Sequence, residues 1–249
     1  MAVSIDTVYQ RVLAIANKEQ RGYITPHEFN LFADQAQMEI FEQYFYDINQ
    51  FDRVPNNSTG YSNIVDNLRE KIQLFQRYNR EVQTINEWGD INITDSIPDL
   101  YRLGTVKVKY TDTLQKLAEQ VQLHELDLYS TASSLTARNT TSYPIYTRIL
   151  ASNEKSYIKI YPYPNTDLSG EKVVVSYIRK PNKPSWGYIV VNDKPLYNSQ
   201  TSINFELHPS EESELVYKIL MLFGINLKEP QLGQAAAAIE ANKVQQEKQ

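Results

Sequence analysis

The spacing of apolar residues changes twice along this chain, and that change restricts the fold more than any single motif. Near the N-terminus Ile5, Val8, Val12, Ile15 and Ala16 recur at helical spacing. Between about residues 91 and 204 apolar residues alternate or form short β-branched runs broken by Pro, Asn and Gly, and after Phe205 the helical period returns. The expected fold class is therefore α+β. It consists of a helical bundle built from the N- and C-terminal helices (1–90 and 205–249) with an inserted antiparallel β module (91–204), forming one intertwined unit.

The helical signals are specific. Ser4 is suited to cap a first helix over Ile5–Glu19. Thr25, Pro26 and Glu28 form a full capping box with proline at the first helical position, starting a second helix that runs to about Ile48. Along it Phe29, Phe32, Ala36, Ile40 and Tyr44 make one stripe and Leu31, Met38, Phe41 and Phe45 another, an arc wide enough to be contacted on two sides. Ile64, Val65, Leu68, Ile72 and Phe75 predict a third helix reaching about Arg80. Pro209, followed by Glu211, Glu212 and Glu214, opens another, with Leu215, Ile219, Leu222 and Phe223 on its apolar face and Gly224 at its end. A last helix follows Pro230, with Leu232, Ala235, Ala236 and Ile239 on one side.

The clearest β signal is Tyr157–Asn165 followed by Val173–Pro181, which reads as a hairpin whose edges are blunted by Pro162, Pro164 and Pro181. Ile91, Ile93 and Ile97, then Val106, Val108 and Tyr110, then Ile145–Ile149 and Trp186–Val191 supply further strands. Leu114–Tyr129 suits a helix or two short ones, and Thr131–Tyr143 reads as a Ser/Thr-rich surface loop.

Composition removes several function classes. With no cysteine, thiolate metal sites and cysteine nucleophiles are excluded, and imidazole chemistry has only His27, His124 and His208 to draw on. A formal net charge of -5 disfavours a general grip on nucleic-acid phosphates. No apolar run approaches the roughly 20 residues of a membrane span, and the N-terminus has neither the basic region nor the apolar stretch of a signal peptide, so a protein made in a cytosol-like compartment is expected. Asn17–Glu28 can be laid over a calcium-binding loop, with Gly22 at its sixth position and Glu28 at its twelfth. Arg21 then occupies a position that needs an oxygen ligand, and Glu28 is already committed to the capping box. No metal, cofactor or catalytic group is expected. The best catalytic alternative, Glu211 with Glu212 or Asp95 with Asp99 beside His208, is explained by helix dipoles and capping.

Tyrosine is abundant, 18 against 8 Phe and 2 Trp. Two explanations stand together: surfaces that become covered on assembly, or compositional bias from an AT-rich genome. Tyr161, Tyr163, Trp186 and Tyr188 are the aromatic candidates for such a surface, with a carbohydrate- or peptide-binding face as the alternative to a subunit interface or core.

Three segments carry a resemblance. Ile97-Pro-Asp-Leu-Tyr-Arg-Leu-Gly104, Ile158–Asn165 with Val173–Pro181, and Phe205-Glu-Leu-His-Pro209 with the helices after it are similar, in order and spacing, to head-to-tail connector or adaptor proteins of tailed bacteriophages. These are also called neck ring or tail tubular proteins, and the likeness is greatest to those of short-tailed and crAss-like phages. The resemblance spans roughly residues 90–245. It implies a non-enzymatic virion protein, assembled in the host cytoplasm, that forms a homo-oligomeric ring, commonly twelve-fold, beneath the portal. Such a ring contacts the portal protein and the next neck or tail protein, and DNA passes through its channel without specific binding. It also implies that a terminal segment docks on the portal; Gln231–Gln249, with Leu232 and Ile239, is the candidate, against a packed or frayed terminal helix. Another neck or tail ring further from the portal is the alternative position.

Overall fold

A computed structural model describes residues 3–18, 24–53, 59–83, 90–110, 114–126, 141–150, 155–164 and 171–226, with Tyr129 and Ala238 as single positions. The fold is mixed α+β. The chain forms two compact units, one from residues 1–74 and 181–249, the other from residues 75–180. The boundaries thus fall earlier on both sides than the 90/91 and 204/205 junctions expected from the sequence.

In the first unit, α1 (Ile5–Lys18), α2 (Pro26–Arg53), α3 (Thr59–Gln73) and α5 (Glu212–Asn226) carry the core. α5 packs on both α1 and α2, and α3 packs on α2. Val8, Val12, Phe29, Ile40, Phe41, Leu215, Ile219 and Phe223 are buried among them. The capping box forms as expected: the Thr25 N–H donates to Glu28 Oε2 at 3.0 Å, and the Glu28 N–H donates to Thr25 Oγ1 at 3.3 Å. The Thr25 hydroxyl, which donates to Glu28 Oε2 at 2.8 Å, and after it the Thr25 N–H hold the Glu28 carboxyl below its usual pKa. α2 departs from expectation on its second stripe. Phe41 is buried, but Leu31 is exposed and Met38 and Phe45 are only half-buried. α5 runs through Gly224 to Asn226.

Two polar residues of α2, Asn30 and Gln37, are a heptad apart and hold the chain returning from residue 181. Gln37 is buried; its Nε2 donates to the Asn182 carbonyl at 2.8 Å, and its Oε1 accepts from the Glu206 N–H at 3.0 Å. Buried amides with both ends satisfied in this way fix a segment's position. A bridge between Val3 and Phe205 closes the same unit.

The second unit is a seven-stranded sheet in the order β1-β7-β3-β4-β5-β6-β2, comprising β1 (Gln76–Val82), β2 (Asp90–Asn92), β3 (Leu100–Lys109), β4 (Lys116–Gln120), β5 (Ile145–Leu150), β6 (Ser156–Tyr161) and β7 (Lys172–Arg179). Ile91, Val106, Val108, Ile158, Ile160, Val173, Val175 and Tyr177 form its core. Five expectations are corrected here. β6 and β7 are both strands, but they are not a hairpin: β6 lies between β5 and β2, and β7 between β1 and β3. The buried run Val173–Val175 is the pattern of a strand covered on both faces, so β7 belongs inside the sheet. Pro162 and Pro164 therefore follow the end of an interior strand instead of blunting an edge.

The sheet is also not wholly antiparallel, since β4 and β5 run parallel. Residues 76–80, expected to end the third helix, begin β1 instead. Its side chains are exposed except Val82, so the sequence carries no alternation there. Leu114–Tyr129 contains β4 and a 3-10 turn at Leu123–Glu125 in place of a continuous helix; helix is limited, among its described residues, to Leu126 and Tyr129, where a second short helix was expected. Of its apolar residues Ala118 and Val121 are buried, while Leu114, Leu117 and Leu123 are exposed. Ile93, expected in a strand, starts the one-turn helix α4 (Ile93–Ser96), which Asn92 caps by accepting the Asp95 N–H at 3.1 Å.

Candidate functional site

The return segment of the first unit carries a separate two-stranded hairpin, β8 (Tyr188–Val191) and β9 (Lys194–Tyr197). Its local cause is plain. Asn192 and Asp193 both take positive φ, 52° and 59°, the geometry of the tight two-residue turn that matches strand twist and favours these residue types. At its root, Gly187 has no room for a side chain, because a Cβ there would stand 2.2 Å from Thr201 Oγ1. The Gly187 N–H donates to Ser202 Oγ at 2.9 Å, and Asn198 N–H donates to the Gly187 carbonyl at 2.9 Å.

Trp186, read from the sequence as an interface candidate with core as the other favoured reading, lies in the core. It is 3% exposed, with its ring 4.3 Å from Tyr9 and its Nε1–H donating to Asp6 Oδ1 at 3.0 Å. It anchors the hairpin to the helical core. Tyr188 stacks on it at 5.8 Å and 23°, and Tyr197 lies against it at 5.8 Å, so the aromatic ladder runs outward from core to solvent. Beyond the ladder the hairpin is apolar and uncovered: Ile189 is 55% exposed, Val190 61% and Leu196 53%, and Val191 and Ile203 are exposed too. A contiguous apolar hairpin of this kind is the surface feature that marks an interaction site. Of these residues the sequence reading named only Tyr188. The signal for the others was present, since Tyr188–Val191 and Lys194–Tyr197 flank a two-residue turn with apolar residues at both parities, and the chain then leaves for the bridge at Ile203 without a third long strand.

Tyr161 and Tyr163 lie in the other unit. Their rings are 5.0 Å apart, and Lys159 Nζ sits 5.8 and 5.7 Å from the two ring centroids while approaching Asp90 at 3.9 Å. They form a small cation–π cluster at the end of β6, with Tyr163 exposed. Leu232 and Ile239 lie outside the described residues, as do the centre of the calcium-loop alignment and the Ser/Thr-rich stretch 131–140.

The carboxylates weighed for catalysis each have a structural partner. Asp95 bonds Lys155 Nζ at 2.7 Å, Asp99 Oδ1 accepts from Tyr177 Oη at 3.2 Å, Glu212 pairs with Arg11 at 2.9 Å, and buried Glu211 pairs with Lys71. His208 caps the turn before α5 by accepting the Ser210 N–H at its Nδ1, 3.3 Å away. It borders a cavity of about 450 Å³ with Ile64, Leu68, Lys71 and Ser210. Among the described residues no cluster of three or more His, Asp or Glu is placed to hold a metal ion, and no helix is long and apolar enough to cross a membrane. Compared with known proteins, the chain matches no protein-family model and no curated protein.

Proposed function

We propose that this chain is a virion structural protein: a head-to-tail connector subunit that oligomerises beneath the portal and joins it to the tail around the DNA channel. The observation that carries the reading is the exposed apolar hairpin anchored by Trp186, a surface of the kind that a neighbouring chain covers in an assembly. The resemblance of Ile97–Gly104, Ile158–Pro181 and Phe205–Pro209 to phage connectors supplies the class of assembly. The finer description of the fold belongs to the same proposal: a helical bundle from both termini, carrying an inserted β module, gives a ring subunit lateral and axial faces of different chemistry. Head-to-tail closure needs such unlike faces. A formal net charge of -5 suits a channel through which DNA slides without adhering.

The test is to mix the purified chain with its portal protein and image the particles by electron microscopy. A closed ring seated on the portal is the expected result. Chains that stay unassembled with portal present in excess would overturn the proposal.

A further inference from the structure

The hairpin's two edges are not equivalent. Because Asn198 N–H donates to the Gly187 carbonyl, and antiparallel pairs alternate, 189/196 and 191/194 are the hydrogen-bonded pairs of the ladder. The backbone groups of Tyr188 and Val190 on one strand, and of Pro195 and Tyr197 on the other, therefore point away from the hairpin. On β9 the outer edge is blocked, since Pro195 has no N–H to give. On β8 the same outward line begins at Trp186, and there it is already occupied: Trp186 N–H donates to Asn30 Oδ1 at 2.7 Å, and Asn30 Nδ2 donates to the Trp186 carbonyl at 3.3 Å. The Asn30 amide thus stands in for a neighbouring strand at the root, and the turn at Asn192 closes the other end. Between them Tyr188 and Val190 present donor and acceptor groups with no partner among the described residues.

We infer that the occupant of this edge is the same edge of a second copy, paired antiparallel about a twofold axis at Ile189. The inference concerns the free chain and does not rest on the ring reading. In that register Tyr188 of one copy faces Val190 of the other, and both residues donate and accept across the axis. The open edge is just long enough for this pairing. Tyr188–Val191 carries no charge, so self-pairing brings no like charges together. The other sheet edges among the described residues are poor mates. β1 presents Arg77, Arg80 and Glu81 and is bulged between Arg77 and Arg80, and β2 has three residues. A twofold contact also closes after two copies, so it covers a sticky edge without open-ended polymerisation.

The test uses the full chain alone, by sedimentation across a wide concentration range. A monomer–dimer equilibrium is expected; a monomer at every concentration, or a larger closed assembly, would overturn the inference. Val190→Pro removes an outward N–H while sparing the hairpin's own ladder, and it should weaken the dimer by about tenfold to a hundredfold, with Val190→Leu dimerising as the parent does. A register-specific check follows from the absence of native cysteine. Ile189→Cys places two thiols opposite each other at a non-hydrogen-bonded pair, where Cα atoms lie about 4.5 Å apart, within disulfide reach. Mild oxidation should link this variant rapidly and leave Leu196→Cys largely unlinked. Equal linking of the two variants, or none in either, would show that the edge is not paired in this way. Because no portal is present, these results stand separately from the ring test.

Discussion

Replacing Trp186 by Ala tests whether this residue is a core anchor or a binding surface. A buried Trp hides roughly 200 Å² from water. At about 25 cal/mol/Å² that corresponds to about 5 kcal/mol, reduced to about 3–4 kcal/mol because the unfolded chain already hides part of it. Loss of the indole N–H from Asp6, 3.0 Å away, adds about 1 kcal/mol, tempered because Asp6 is only half-buried and can rehydrate. Trp186→Ala should therefore cost about 4 kcal/mol and lower the Tm by about 10 °C, read by circular dichroism in thermal and urea melts. Trp186→Phe keeps most of the ring and should cost about 1–2 kcal/mol. Tyr188→Ala, at a residue 42% exposed, should cost less than half of the Trp186→Ala effect. A Trp186→Ala loss below about 1.5 kcal/mol, or one equal to that of Tyr188→Ala, would refute the anchoring role.

Two further outcomes follow from partners inside each unit. Lys71→Met removes a cation from beside the buried Glu211 carboxylate and should cost about 3 kcal/mol; the double variant Lys71→Met with Glu211→Met should recover most of that, measured by urea melts, and a double variant no better than the single one would contradict it. Burial, with a smaller contribution from Glu171, pushes the Tyr110 phenol well above its usual pKa, and its hydroxyl donates to the Pro162 carbonyl at 2.7 Å. The neutral form is the one the fold favours, so this stabilisation is complete below about pH 10 and lost as pH rises above it. Tyr110→Phe should flatten the alkaline fall in stability while costing about 1 kcal/mol at neutral pH; an unchanged alkaline slope would refute the assignment.

How much of this was readable beforehand depended on where the physical signal lies. Helix starts were legible because caps are local: Thr25 and Glu28 find each other within one turn, and His208 before Pro209 caps the turn leading into α5. Strand positions such as Val173–Val175 and Ile158–Ile160 were legible from their apolar pattern. Strand partners were not, because pairing is a long-range choice. Tyr157–Asn165 and Val173–Pro181 are adjacent in sequence, yet each has its mates elsewhere in the sheet. β1 was invisible for a different reason. Gln76–Glu81 turn their side chains to solvent and owe their strand geometry to pairing with β7 alone. The burial of Trp186 was likewise beyond composition, since the Asn30 and Asp6 groups that receive it lie more than 150 residues away in sequence.

The way the other edges are treated gives the β8 edge its meaning. Exposed strands invite unwanted pairing, and each other edge here carries a device against it. β1 carries Arg77, Arg80 and Glu81 and a bulge between Arg77 and Arg80, where Asn79 has a φ of 55°; β2 is three residues long; β9 has Pro195 on its outward line; and the root of β8 is filled by Asn30. A chain that merely tolerated an exposed apolar hairpin would be expected to protect β8 in the same manner, with a lysine or proline at position 188 or 190. Instead those positions hold Tyr and Val, their backbone groups aligned for a partner. A net charge of -5 limits nonspecific association without repelling at the edge itself, because that charge lies elsewhere than in Tyr188–Val191. The asymmetry between a protected β9 and an open β8 is what separates a surface shaped for one contact from a surface that is simply sticky.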